Sequence, residues 1–489
     1  MTDSVTIRQL ETGVPGLDAI LGGGLPEFSF NLIAGAPGSG KTTLAQQIMF
    51  GLCTGNLRAI YFTVVGEPPL KMLRYQQQYT FFDMDRVDDS IRFVNLGEDL
   101  IGGSLEKVLA RIVREVEAVN PAVVIVDSFR SIAQSAAGSA RTADLDLQHF
   151  VQQLAIRLTG WESTTFLVGE YDPSETVHNP VFTVADGVLW LDQSVDRNSV
   201  VRKIQVMKMR GQGPSPGLHT YRITSDGIEV FPRVVIGEAE KETRDSREKR
   251  LSIGVPRLDE MLGGGIPPRY SVLVAGPSGS GKSVLATQFI MEGVHRGEPG
   301  IVAVFEKRPS VYSEVAPGGH AFEEMVRARR IGIVQMRPLD LSIDETLHEI
   351  VEEIYRRKAK RLVIDSLSGF ELALAPTFRE DFRESLYRMV AVLTSKGITM
   401  LMTAELEDSY SDLRFSPHGT AFLTDAIIVQ RYIELDGRLQ PIMAVVKVRG
   451  SAHSRDFHAF SITNEGIVVG EPMAGYRGLL TGTPVQDGG

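Results

Sequence analysis

One cysteine, Cys53, stands in a chain of 489 residues. An intramolecular disulfide and any zinc site built on two or four cysteines are therefore excluded, and the composition suits a reducing cytosol. Long apolar runs are missing too. No stretch approaches the ~20 apolar residues of a membrane span, and the opening segment MTDSVTIRQLETG has no apolar signal region. The expectation is a soluble, cytoplasmic protein with no membrane partner. Positive charge is in deficit, with 51 Lys and Arg against 61 Asp and Glu, a formal net charge of −10. No loop interleaves aromatic with basic residues. A chain of this kind is a poor binder of nucleic acid. Its strongest basic cluster, Arg327-Ala-Arg329-Arg330, precedes an apolar strand and reads equally as a solvated helix end.

What is present is a phosphate-cradling pattern, G-x-x-x-x-G-K-[ST], twice. The first copy is Gly35-Ala-Pro-Gly38-Ser39-Gly40-Lys41-Thr42 and the second Gly276-Pro-Ser-Gly279-Ser280-Gly281-Lys282-Ser283. At average residue usage, about one chain in 50 of this length would match once by chance. Two matches, each following an apolar run that reads as a strand, are not accidental. The glycines let successive backbone N–H groups turn toward phosphate oxygens, and the following helix points its positive end at the same anion. Lys41 and Lys282 are placed to reach the β and γ phosphates of ATP. The hydroxyls of Thr42 and Ser283 are placed to ligate Mg2+. Thr43 and Val284, next on each helix, complete the expected ATP-binding sets.

Composition is otherwise that of an ordinary globular protein, 43% hydrophobic and 23% charged, and the chain is too long for one core. It is a tandem repeat. Gly13, Gly22 and Lys41 recur as Gly254, Gly263 and Lys282, each 241 residues on. Asp127 recurs as Asp365 after 238 residues; Asp186, Lys208, Arg210 and Gly227 recur as Asp425, Lys447, Arg449 and Gly466 after 239. A period this long is a duplicated domain. The reading is a first domain over 1–236, a charged linker over 237–250, a second domain over 251–472, and a C-terminal tail over 473–489 whose last residues, Thr481 to Gly489, read as polar and mobile.

Within each copy, strands and helices alternate. Phe28–Ala34, Ala59–Val65, Val123–Val126 and Thr164–Gly169 read as strands of the first copy, and Leu362–Ile364 as one of the second. Leu105, Val108, Leu109, Ile112, Val113 and Val116 share one helical face, as do Ile343, Leu347, Ile350, Val351 and Ile354. Uninterrupted apolar strands joined through helices predict an α/β fold: two tandem domains, each a mostly parallel sheet covered on both faces by helices. Ligands of such sheets bind at the carboxyl ends of the strands.

The rest of each site follows from what surrounds a bound triphosphate. Asp127 and Asp365 end apolar strands and precede serines; each suits Mg2+ held through water, or a helix N-cap. A water-activating carboxylate is expected after the second strand. Glu306 stands there in the second copy; Val65 aligns with it in the first, where Glu67, two residues on, is the nearest carboxylate and reads also as a solvated turn residue. Lys208-Met-Arg210-Gly211 and Lys447-Val-Arg449-Gly450 set two cations on one strand face. They suit a triphosphate, including that of a neighbouring subunit, or a charged strand edge.

The tandem arrangement, Thr12-Gly-Val-Pro-Gly-Leu-Asp18 with Gly22-Gly-Gly-Leu-Pro26, the two phosphate loops and the Lys-x-Arg-Gly elements together resemble the KaiC-like proteins of the RecA-like ATPase superfamily. The resemblance runs from about Thr12 to Pro484 and includes Arg337-Pro-Leu-Asp-Leu-Ser-Ile-Asp-Glu345 and Arg449-Gly-Ser-Ala-His453. It implies a homohexamer of two stacked rings with ATP between subunits and slow ATP hydrolysis; a signalling protein partner belongs to the alternative expectation of an ATP-gated scaffold whose output is partner binding. In the clock protein itself it also implies Ser/Thr autokinase and autophosphatase activity in the second ring. Two departures matter. The clock protein's paired glutamates are Val65-Gly66 and Glu306-Lys307 here. Its phosphorylated Ser-Thr pair is Ala421-Phe422, which has no hydroxyl to modify; Ser416 and Thr420 are merely nearby. The resulting expectation is a KaiC-like ATPase outside the core clock cycle, with the second copy the better catalyst.

Overall fold

The computed structural model describes residues 7–64, 69–100, 105–135, 143–177, 179–196, 199–233, 249–305, 308–316, 319–336, 342–374, 379, 382–406, 423–479 and 484–486. The chain divides into two compact units, Met1–Arg233 and Val234–Gly489. Most of the linker read from the sequence, and Val65, Glu67, Glu306, Ser416, Thr420, Ala421 and Phe422, lie outside the described residues.

The first unit is built on nine strands: β1 (Phe30–Gly35), β2 (Ala59–Thr63), β3 (Ile91–Asn95), β4 (Val123–Asp127), β5 (Thr164–Glu170), β6 (Gly187–Asp196), β7 (Ser199–Met209), β8 (His219–Thr224) and β9 (Gly227–Phe231). Their order across the sheet is β3-β2-β4-β5-β1-β6-β7-β8-β9. The six from β3 to β6 run parallel and the last three are antiparallel. The second unit repeats this with β10 (Ser271–Gly276), β11 (Gly300–Val304), β12 (Ile331–Gln335), β13 (Arg361–Asp365), β14 (Thr399–Glu405), β15 (Ala426–Leu435), β16 (Arg438–Val448), β17 (His458–Thr463) and β18 (Gly466–Pro472). Their order, β12-β11-β13-β14-β10-β15-β16-β17-β18, is the same arrangement. The predicted α/β architecture is therefore present in both copies.

Alternation along the strands splits each interior into two cores. Ile33, Ile125 and Val168 pack on helix α1 (Lys41–Leu52) through Leu44 and Ile48. Leu32, Ala34, Val124, Val126 and Leu167 pack on the other face against α2 (Leu105–Val119) and α3 (Ala143–Gly160). In the second unit α4 (Lys282–His295) takes one face, and α5 (Ile343–Arg357) with α6 (Phe382–Ser395) the other. The sequence pattern overran the first strand. Phe28 sits at φ 61°, in left-handed backbone that cannot continue a strand, so β1 begins at Phe30. Part of the expected tail is paired: Tyr476–Arg477 runs antiparallel to Val485–Gln486, and Leu479 is buried against Ile433 and Ile442.

One buried charge distinguishes the copies. Arg361 opens β13 fully buried, where Val123 opens β4; each pairs in register with the first residue of its neighbouring strand, Gly300 or Ala59. Its guanidinium donates to the carbonyls of Ser252 (2.7 Å) and Phe289 (2.9 Å) and to Glu298 (2.8 Å), and lies 4.8 Å from the centre of the Phe289 ring. It staples the start of the carboxylate-bearing strand to the phosphate-loop helix. Arg361→Ala strands both carbonyls and Glu298, at a cost of about 3 kcal/mol. Both tryptophans, Trp161 and Trp190, are in the first unit. Urea unfolding of this variant is expected to show an earlier circular-dichroism transition with an unchanged tryptophan transition. Cys53 is buried at the end of α1, and desolvation pushes its thiol up to about 12 against a weak opposing pull from Arg86. At pH 8 the thiolate is nearly absent, so a disulfide reagent should label Cys53 only after unfolding.

Candidate functional site

Each phosphate loop leaves the central parallel strand and turns into a helix. Glycine is required where the turn closes. Gly40 and Gly281 adopt φ 90° and 88°, and a Cβ there would stand 2.7 Å from Ile223 Cδ1 or Ile462 Cδ1. Those isoleucines belong to β8 and β17, so the antiparallel end of each sheet seats its own loop. Gln47 exchanges two hydrogen bonds with the Ile228 backbone, at 2.7 and 3.1 Å, and Gln288 accepts from Ile467 N at 2.9 Å. The tethers then diverge. The Tyr221 hydroxyl donates to the Ser39 carbonyl, whereas Ser280 Oγ donates to Gln430 Oε1 at 3.1 Å.

The two lysines fold back onto their loops. Lys41 Nζ donates to the Ala36 carbonyl at 2.7 Å; Lys282 Nζ donates to Gly276 (2.8 Å) and Pro277 (2.6 Å). Burial pulls the Lys41 ammonium below its ordinary range, opposed by the charges of Glu170 and then Asp127. An ammonium held by loop carbonyls can exchange them for the oxygens of an anion.

Beside each loop, a hydroxyl and a carboxylate meet. Thr42 Oγ1 donates to Asp127 Oδ2 at 2.7 Å, and Ser283 Oγ donates to Asp365 Oδ2 at 2.7 Å. The pairs expected from sequence as the Mg2+ donors are therefore in contact. Among the described residues no group of three or more His, Cys, Asp or Glu could cage a metal alone. One hydroxyl and one carboxylate is a donor set for a cation that keeps its waters and takes phosphate oxygens, which is the habit of Mg2+. The helix N-cap falls to the neighbouring serine: Ser366 Oγ accepts from Gly369 N at 3.0 Å.

The sequence did not disclose the other partners of these carboxylates. Tyr61, on β2, donates to Asp127 Oδ2 at 2.6 Å. Tyr312, from the helix Ser310–Val315, donates to Asp365 Oδ2 at 2.6 Å, and Thr403 on β14 reaches Asp365 Oδ1 at 2.5 Å. Burial raises the Asp127 carboxyl, while the Tyr61 and Thr42 hydrogen bonds and the Lys41 charge hold it down. Burial, reinforced by the adjacent carboxylate, drives both phenols upward, so they remain donors. The tyrosines occupy different positions in the repeat, which is why comparing the copies does not flag them.

The Lys-x-Arg pairs lie elsewhere. Lys208 is in register with Val188 and Lys447 with Ile427, at the amino ends of β6 and β15. Their own loops lie at the carboxyl ends, beyond a six-residue central strand, a separation of about 16 Å. Neither side chain can reach its own phosphates. Both are organised: Lys208 Nζ donates to Thr183 (3.0 Å) and Phe182 (3.3 Å) carbonyls, and Lys447 Nζ to Thr424 (2.6 Å). Arg210 pairs with Asp186 at 2.9 Å and Arg449 with Asp425 at 3.5 Å, their side chains 60% and 58% exposed. Burial, then the neighbouring arginine, lowers both lysines.

Comparison with known proteins identifies the family. The family model described as "ATPase: KaiC" matches residues 10–235 and again 251–474. The chain is 28% identical over 491 residues to the circadian clock oscillator protein KaiC of Picosynechococcus sp., covering 98% of this chain and 93% of that protein. It is 29% identical over 493 residues to the circadian clock protein KaiC3 of Synechocystis sp., covering 98% and 95%.

Unequal support of the two carboxylates has a measurable consequence. Among the described residues, hydroxyls of Thr42 and Tyr61 donate to Asp127, and those of Ser283, Tyr312 and Thr403 to Asp365. Tyr61→Phe should cost domain 1 about 2 kcal/mol, the worth of a hydrogen bond to a buried charge. Tyr312→Phe should cost domain 2 less, since Ser283 and Thr403 remain. Tryptophan-detected unfolding reads the first change and circular dichroism the second; equal losses would contradict the difference.

Proposed function

Because the chain belongs to the KaiC family of ATPases, we propose that it is a Mg2+-dependent, slowly hydrolysing ring ATPase with a regulatory output. The observation that carries this reading is the hydroxyl–carboxylate pair beside each phosphate loop, Thr42 with Asp127 and Ser283 with Asp365. Lys41 and Lys282 exchange loop carbonyls for the β and γ phosphates, and the loop N–H groups and helix dipoles bind the same charge. Bound Mg2+ supplies charge neutralisation and orientation of the phosphates. The loop residues Gly35, Gly38, Ser39, Gly40 and Thr43, with Gly276, Gly279, Ser280, Gly281 and Val284, form the two cradles.

The separation of functions along each sheet supports assembly into a homohexamer. Every domain has a phosphate loop at one end and an exposed arginine at the other. A head-to-tail ring sets Lys208 and Arg210, or Lys447 and Arg449, against the next subunit's triphosphate, where their charge stabilises the transition state. Glu306 is proposed as a water-activating base of domain 2; Val65 aligns with it, leaving Glu67 as a displaced candidate in domain 1. Domain 2 is accordingly the more competent catalyst, and domain 1 chiefly binds nucleotide and supports assembly. The relatives are named as circadian clock proteins, which favours signalling to a protein partner over mechanical work. With Ala421-Phe422 in place of the hydroxyl pair, that signal is the nucleotide state and not phosphorylation there.

Phosphate release by Lys41→Ala and Lys282→Ala tests the assignment. The second change is expected to remove most Mg-ATP turnover, about tenfold or more, and the first far less, with sedimentation showing an intact hexamer in both. Abolition of turnover by Lys41→Ala in an intact hexamer would reverse the roles of the domains. Chelation of Mg2+ should stop the reaction in every case.

A further inference from the structure

The strand between the phosphate-loop strand and the Asp-bearing strand ends, in both units, in glutamate. Glu170 terminates β5 and Glu405 terminates β14. Register places each one beside the first glycine of a loop: Gly35 pairs with Glu170 and Gly276 with Glu405. The next residue fastens the strand end to that glycine. Tyr171 N donates to the Gly35 carbonyl at 3.3 Å and Leu406 N to the Gly276 carbonyl at 3.1 Å. In domain 1 the end is held a second time, because the Arg130 guanidinium donates to the Glu170 carbonyl and pairs with Glu175 at 2.8 Å.

Alternation fixes the side. Asp127 is in register with Val168, which packs on the α1 face of the sheet. Glu170, two residues further, presents its side chain to that same face, about 7 Å beyond the Asp127 level. In domain 2 Thr403 bonds Asp365 directly, and Glu405 follows two residues on. Each glutamate therefore stands on the face that carries the Asp, just past it and level with the first glycine of the phosphate loop. Both are exposed, and among the described residues no hydrogen bond or ion pair engages either carboxylate. Glu170 is also the carboxylate that acts most strongly on Lys41, ahead of Asp127.

We propose that Glu170 and Glu405 are catalytic residues that orient and deprotonate the water attacking the terminal phosphate, giving domain 1 a base that Val65 cannot supply. This rests on the reading of the chain as an ATPase. The balance is simple. The water oxygen forms a bond to Pγ, the bond between Pγ and the β–γ bridging oxygen breaks, and ADP leaves with that electron pair. The water proton passes to the glutamate carboxylate and then to solvent or released phosphate. Domain 1 then has Glu170 besides the displaced candidate Glu67, and domain 2 has Glu405 besides Glu306, the base proposed there.

The test uses the full chain in two backgrounds, Lys282→Ala to isolate domain 1 and Lys41→Ala to isolate domain 2. Glu170→Gln in the first and Glu405→Gln in the second should each lower kcat about 100-fold, the scale of general-base catalysis, with KM for ATP little changed. Binding of the non-hydrolysable analogue AMP-PNP should hold or tighten severalfold, because a negative charge beside the triphosphate is gone. Glu→Asp variants, which keep the charge, should retain partial turnover and separate loss of the base from misfolding. Turnover within threefold of the parent in both Gln variants overturns the proposal, and loss in domain 1 alone upholds Glu170 while overturning Glu405. A Lys282→Ala background with no turnover at all removes Glu170 as a base. The absence of phosphate release from the unmodified protein instead defeats the ATPase reading itself.

Discussion

The structure of each site depends on one bond, from a phosphate-loop hydroxyl to a buried carboxylate. Thr42 and Asp127 belong to parts of the chain that are not neighbours in the sheet, since β5 lies between β1 and β4. Contact at 2.7 Å across an intervening strand requires the strand order, the register and the exit angle of α1 all to be right. The same bond recurs between Ser283 and Asp365. A carboxylate withdrawn from water, Asp365 fully and Asp127 in part, must be hydrogen-bonded to remain charged. Hydroxyls serve that need while leaving the negative charge uncancelled for a cation.

Duplication preserved this requirement and not the residues that meet it. The phenol on Asp127 comes from a strand and that on Asp365 from a short helix. The loop backbone is tethered by Tyr221 in one copy, and the loop side chain by Gln430 in the other. Arg361 staples domain 2 where Val123 makes only apolar contact in domain 1. What is constrained is the position of a donor atom. Any side chain that delivers it satisfies the physics, so two copies of one fold drifted into different solutions.

The sheet also separates two kinds of charge. Its carboxyl ends gather the loop, the Asp and the closing glutamate, while its amino ends hold the Lys-x-Arg pairs. The separation exceeds the reach of either side chain, so the Lys-x-Arg pairs cannot meet the phosphate loop of their own domain. The proposed ring resolves this by repetition.

Much was readable from the residues alone. Two phosphate loops, the repeat with its offsets, the alternating elements and the two strand-end carboxylates are local patterns, carried by spacing and by apolar runs, and among the described residues the structure has them where periodicity placed them, apart from a first strand that begins two residues later. The pairing of Thr42 with Asp127 was foreseeable because a known chemistry requires both. Other features were decided only in three dimensions. That β5 and β14 lie beside the loop strands, bringing Glu170 and Glu405 to the first glycines, is a matter of sheet order, which hydrophobic pattern does not encode. The tyrosines reach their carboxylates from unmatched positions, and the Lys-x-Arg pairs prove remote from their own loops because β7 and β16 run antiparallel. Composition and spacing determine which groups a chain possesses; the crossovers of its sheet determine which of them meet.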